Sequence, residues 1–134
     1  MSHQSMNETL EMIPGAVSLG VWRRILREGP KVRFGADARA AVVAGHEAVK
    51  ALIATGRPIY AVNTGFGKLA SVRIDSADLV QLQRNLILSH SAGTGELLND
   101  DLVRLILLMK AAALAQGYSG VRWELVETLL TLAN

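Results

Sequence analysis

The sequence predicts a mainly α-helical fold with one or two short strands and one glycine-rich loop. Three observations predict it. Apolar residues recur at helical spacing in five segments, each opened by a capping or acidic residue and most closed by glycine. Two short runs, 31–34 and 59–62, read as brief strands. Between them and the later helices, Asn63-Thr64-Gly65-Phe66-Gly67-Lys68 packs two glycines beside an Asn-Thr pair, which forbids regular structure there.

Taken in order, residues 1–17 read as a flexible or extended lead-in and 18–134 as one helical body. Ser18 caps a first helix whose Leu19, Trp22, Ile25 and Leu26 share a face, and Gly29-Pro30 stops it. Lys31-Val32-Arg33-Phe34 alternates as a strand does. Asp37 then caps a longer helix with Ala38, Ala41, Val42, Gly45, Val49, Leu52 and Ile53 on one stripe, a small-residue face suited to close packing, which ends at Gly56. After Pro58, Ile59-Tyr60-Ala61-Val62 reads as a strand feeding the glycine loop. Ser76 caps a third helix to about Ser91, with Asp78 in its first turn. Asn99-Asp100-Asp101 opens a fourth in which only Arg104 and Lys110 carry charge between Leu102 and Gln116, so it reads as a central, buried helix. Gly117 closes it, and Ser119 opens a fifth with Val121, Leu125, Val126, Leu129 and Leu130 on its core stripe.

Composition sets the outer bounds. With 134 residues the chain is one domain at most, and with 50% of them hydrophobic it is not a disordered tail. Zero cysteines remove disulfide scaffolds and Cys-type zinc sites. The apolar content exceeds what so small a domain comfortably hides, which suggests one piece of something larger. Fourteen Lys and Arg against twelve Asp and Glu leave a net charge of +2, far from the basic stripe of a nucleic-acid binder. The apolar stretches 105–109 and 111–115, split by Lys110, fall short of a membrane span, and no charged leader precedes an apolar segment. A cytoplasmic protein with no membrane and no nucleic-acid partner is expected.

Taken singly, the candidate functional residues have plain readings. Gly65-Phe66-Gly67-Lys68 lacks Walker spacing, and Gly93-Thr94-Gly95 lacks a third glycine and follows a helix, so both read as loops. His3, His46 and His90 form no ligand set, and no metal site is expected. His46 reads as solvated or satisfied. His90, at a helix C-terminus before a Gly-rich break, reads equally as a group stabilising the helix dipole or as part of a site. Tyr60 by itself is a strand aromatic, and the basic stretch Arg23, Arg24, Arg27, Lys31, Arg33 a solvated face.

Together the residues say more. Tyr60-Ala61-Val62-Asn63-Thr64-Gly65-Phe66-Gly67-Lys68-Leu69-Ala70 resembles the signature loop of the aromatic amino acid lyase family, which holds histidine, phenylalanine and tyrosine ammonia-lyases and related aminomutases. The segments 82–95, 101–105 and 117–122 resemble further family blocks in the same order. The resemblance is clear from 58 to 134 and weaker from 8 to 57, and it implies the N-terminal part of an ammonia-lyase-like fold. It further implies that Tyr60 is the base taking a β-proton from the substrate, although a phenol ordinarily titrates near ~10 and must be poised by its neighbours. Gly67 matches a glycine leaving room beside the electrophile. Ser89 and His90 match the substrate-selecting pair, and histidine in the second place is similar to histidine ammonia-lyases, where leucine suits phenyl substrates. Ala61 departs from the commoner glycine, which stiffens the loop.

The implied reaction is elimination of ammonia from L-histidine to trans-urocanate in a homotetramer. Its cofactor, 4-methylidene-imidazol-5-one (MIO), forms in the family from an Ala-Ser-Gly tripeptide that this sequence does not contain. The resemblance places that tripeptide, and the carboxylate-binding arginine, beyond the matched segments, so the chain is expected to carry no cofactor and no turnover by itself. Alternatives are a tyrosine or phenylalanine lyase or aminomutase, and a non-catalytic helical interaction module on the same scaffold.

Overall fold

The computed structural model describes residues 9–60, 62–65, 74 and 77–134. The elements run β1 (Thr9–Met12), α1 (Leu19–Glu28), β2 (Lys31–Phe34), α2 (Ala36–Ala54), α3 (Leu79–His90), α4 (Asp100–Leu114) and α5 (Trp123–Ala133). The mainly helical expectation holds. They group into two compact units, one of the described residues up to Val49 together with Leu98–Asn134, the other of those in Lys50–Leu97.

In the first unit β1 and β2 form a two-stranded parallel sheet in the register Thr9↔Lys31 to Met12↔Phe34. The lead-in expected to be flexible or extended is a strand over Thr9–Met12, a pairing set by Met12 and Val32, both buried, with Glu11 bridging Arg33 at 2.6 Å on the exposed side. α1 makes the crossover between them. Ser18 Oγ accepts the Val21 N–H at 3.3 Å, and Gly29 ends the helix at φ +65°, donating its N–H to the Ile25 carbonyl, as the sequence predicts.

Two apolar clusters form the core of this unit. Met12, Ile25, Val32, Leu108, Ala112 and Ala133 make one, and Ala38, Val42, Leu114, Ala115 and Val126 the other. α4 therefore lies between α1 and α5, but it is not buried all round. Leu108, Ala111, Ala112 and Leu114 face inward while Leu102, Val103, Ile106 and Met109 are 39–49% exposed. The expected central helix has one covered side, because the residues of this unit pack only that side.

Polar side chains tie the helix ends together. The Arg104 guanidinium donates to the Ala133 carbonyl (2.6 Å), the Ile25 carbonyl (3.3 Å) and the Pro30 carbonyl, so one cation closes the ends of α1 and α5. Asn134 meets β2 as a one-residue strand would, Oδ1 accepting the Val32 N–H and Nδ2 donating to the Val32 carbonyl, both at 2.8 Å.

The small-residue face of α2 does receive a close neighbour. A Cβ at Gly45 would overlap the Gly117 carbonyl oxygen, and Gly117 itself turns at φ +85°. His46 Nδ1 lies 2.9 Å from the Gly120 carbonyl, so of the two roles expected for it, solvated or satisfied, it takes the second. This docking moves the start of the last helix. Ser119 does not cap it: Gly120 turns at φ +65°, Arg122 is extended, and α5 begins at Trp123. Asp37 likewise sits inside the first turn of α2 and does not precede it.

Two predictions fall in the second unit. Asp78, expected in the first turn of α3, stands immediately before the helix without a side-chain capping bond, and Ser76 lies outside the described residues. Of the expected strand at 59–62, the described residues Ile59, Tyr60 and Val62 are not a strand but a turn, with the N–H groups of Val62 and Asn63 both donating to the Ile59 carbonyl. No described helix is long and apolar enough to cross a membrane.

Candidate functional site

Tyr60, Ser89 and His90 all belong to the second unit. Gly67 lies outside the described residues, as does Ala61.

Tyr60 sits in the turn that replaces the expected strand, and 61% of it is exposed. The local sequence explains the turn. Pro58 has no N–H, so the first donor after it is that of Ile59. That donor goes to Asn63 Oδ1 at 2.6 Å, while Asn63 Nδ2 donates to the Arg57 carbonyl at 2.9 Å. These are the groups a neighbouring strand would have used, and the segment folds back onto its own side chain. Asn63 (5% exposed) and Thr64 (1%) are the buried polar residues of the described chain, and the Asn63 carbonyl accepts the Ile74 N–H at 3.2 Å. Sequence reasoning read Asn63 only as a loop residue; the available signal for these bonds was an amide side chain four residues after Ile59, whose N–H needed a partner.

Ser89 and His90 end α3. His90 Nδ1 lies 2.8 Å from the Leu86 carbonyl, which can only accept, so Nδ1 carries a proton and in the neutral ring Nε2 is left as an acceptor. Ser89 Oγ donates to the same carbonyl at 3.0 Å and sits 3.1 Å from His90 Nδ1. The three groups lock one another, and both side chains are exposed. The helix-end reading of His90 and the site reading are thus compatible, since one nitrogen caps the helix and the other stays available.

Other sequence features resolve plainly. Arg24 pairs with Glu28 at 2.9 Å on an exposed face, and residues 91–98 are exposed. Among the described residues no group of three His, Cys, Asp or Glu is placed to hold a metal. Surface clefts of about 250 Å³ (including Asp37, Gln116 and Tyr118) and 280 Å³ (including Asp100, Asp101 and Arg104) lie in the first unit and contain none of Tyr60, Ser89 or His90. Tyr118-Ser119-Gly120, the chain's one Ser-Gly step, lacks the alanine of a ring-forming tripeptide, and its Gly120 carbonyl is engaged by His46.

A family model described as aromatic amino acid lyase matches residues 17–134. A histidine ammonia-lyase of Rhodospirillum rubrum is 50% identical over 129 residues, which are 96% of this chain and 25% of that protein. Among solved structures, a tyrosine aminomutase from Streptomyces globisporus superposes with a TM-score of 0.85 at 30% identity, over 95% of this chain and 24% of that one. A histidine ammonia-lyase from Trypanosoma cruzi gives a TM-score of 0.78 at 28% identity, over 92% and 23%. The chain spans about a quarter of the length of the relatives it matches.

Proposed function

Because the chain belongs to the aromatic amino acid lyase family, we propose that it is the segment of a histidine ammonia-lyase that supplies the catalytic base and the ring-selecting pair. The observation that carries this reading is His90, whose Nδ1 is spent on the Leu86 carbonyl, which leaves Nε2 of the neutral ring as an acceptor on an exposed side chain. An imidazole N–H of L-histidine is a matching donor, and the 50% identity to a histidine ammonia-lyase points the same way.

In this reading the Tyr60 phenol oxygen takes a β-proton as general base, the Cα–N bond breaks with its electron pair leaving on nitrogen, and the new Cα–Cβ double bond gives trans-urocanate and ammonia. By the family resemblance Gly67 is the glycine assigned to leave room beside the electrophile, and Ser89 holds the His90 ring. The family's MIO ring supplies an electrophile that makes the amino group a better leaving group. No residue of this chain forms it, since Ala-Ser-Gly is absent from the sequence. We therefore expect the 134 residues alone to release no ammonia, and to act in a cytoplasmic homotetramer that brings the ring.

The test is a chimaera in which this chain replaces the matching quarter of the Rhodospirillum rubrum enzyme. Urocanate formation from L-histidine in preference to L-tyrosine and L-phenylalanine supports the reading; a preference for either of the others overturns it. A second reading, a tyrosine lyase or aminomutase, is favoured by the aminomutase superposition, because a phenol O–H also donates to Nε2. The same assay separates the two.

A further inference from the structure

We propose that Asn63 is the positioning residue for Tyr60: its buried amide fixes the turn that carries the phenol. The inference rests on the reading of Tyr60 as the base. Tyr60 lies between Ile59 and Asn63 and belongs to no helix or strand, so the course of the backbone that carries it is set by the bonds that close that turn. Asn63 closes it three times. Its Oδ1 accepts the Ile59 N–H (2.6 Å), its Nδ2 donates to the Arg57 carbonyl (2.9 Å), and its own backbone N–H donates to the Ile59 carbonyl (3.2 Å).

The amide can sit only one way round. Ile59 N–H is solely a donor and the Arg57 carbonyl solely an acceptor, so a flipped amide would set like against like at both contacts. At 5% exposure no water replaces either bond cheaply. Aspartate is nearly the same shape, yet its ionised carboxylate offers no donor to Arg57. Serine has one group where two are needed, and glutamine is a methylene too long for the gap. The Asn63 carbonyl also accepts the Ile74 N–H (3.2 Å), so the same residue ties the turn to Ile74. Asn63 thus acts on the reaction through Tyr60, and misplacing a reacting group by ~1 Å costs a rate on the order of 100-fold.

The experiment is NMR on the whole 134-residue chain with Asn63→Ala and Asn63→Asp. Ile59 amide exchange is expected to run about 10-fold faster than wild type at neutral pH in Asn63→Ala, which removes the acceptor, and in Asn63→Asp, whose carboxylate is repelled by the Arg57 carbonyl oxygen and draws the acceptor away from the Ile59 N–H. The Tyr60 backbone order parameter is expected to fall from about 0.85 to below about 0.6, while α3 amides, in the same unit, keep their wild-type exchange and show that this unit stays folded. At about pH 3, below the carboxylate range, the introduced carboxyl group is protonated and regains a donor, and the Asn63→Asp exchange ratio is expected to return toward 1 whereas that of Asn63→Ala does not. Unchanged Ile59 exchange and Tyr60 order in both variants, or an Asn63→Asp ratio that ignores pH, overturns the proposal. The base reading fails on a different result, full turnover by a Tyr60→Phe chimaera, which leaves the exchange pattern untouched.

Discussion

The amides of Asn63 and Asn134 fill one geometric role at two places: each presents a donor and an acceptor to a backbone that has no strand beside it at that point. At Asn134 the result steadies β2; at Asn63 it converts an expected strand into the turn that bears Tyr60. Neither role is legible in the sequence, because asparagine in a loop has many uses and only the positions of its partners select one. The readings of Tyr60, Ser89 and His90 came from a family motif, and the structure adds to them which His90 nitrogen is free. Nitrogen-15 spectra of the neutral chain should therefore show a protonated Nδ1 and a bare Nε2 at His90; the reverse tautomer would contradict the bond to Leu86. In the chimaera, Tyr60→Phe should lower kcat by about 10²–10⁴-fold, the usual contribution of a general base. His90→Leu should move preference from L-histidine toward L-phenylalanine, since leucine cannot accept the ring N–H.

At the scale of elements, close approaches and shared carbonyls decide where helices begin and end. The helical spans of α1 and α2 were legible to within about two residues, because capping and periodicity act locally. The start of α5 was not, because Ser119 is drawn into a loop pressed on α2, and a local capping preference yields to that contact. Gly45→Ala should destabilise the chain by about 1–3 kcal/mol in urea titration, since its methyl would overlap the Gly117 carbonyl. Arg104→Ala should cost a similar ~1–3 kcal/mol by stripping a partner from three part-buried carbonyls. Lysine there should recover only part of the loss, because its point charge cannot fork among Ile25, Pro30 and Ala133.

For the molecule as a whole, the apolar half of the composition is only partly covered. No described α3 side chain is buried, and Val80 (80%), Ile87 (66%) and Leu97 (98%) stand open. We expect the isolated chain to self-associate and bind a hydrophobic dye; sedimentation as a dye-negative monomer would refute this. The sequence by itself determined the helical class, the stops at glycine, the absence of cysteine chemistry and the family, because periodicity, composition and ordered motifs are properties of the chain read along its length. The tertiary structure alone decided that β1 pairs with β2, that α4 is covered on one side, that Arg104 and Asn134 bind the helix ends, and that Asn63 holds the Tyr60 turn. Each of those is a contact between residues whose partners are fixed by folding in three dimensions, and no local pattern encodes which partner a side chain will meet.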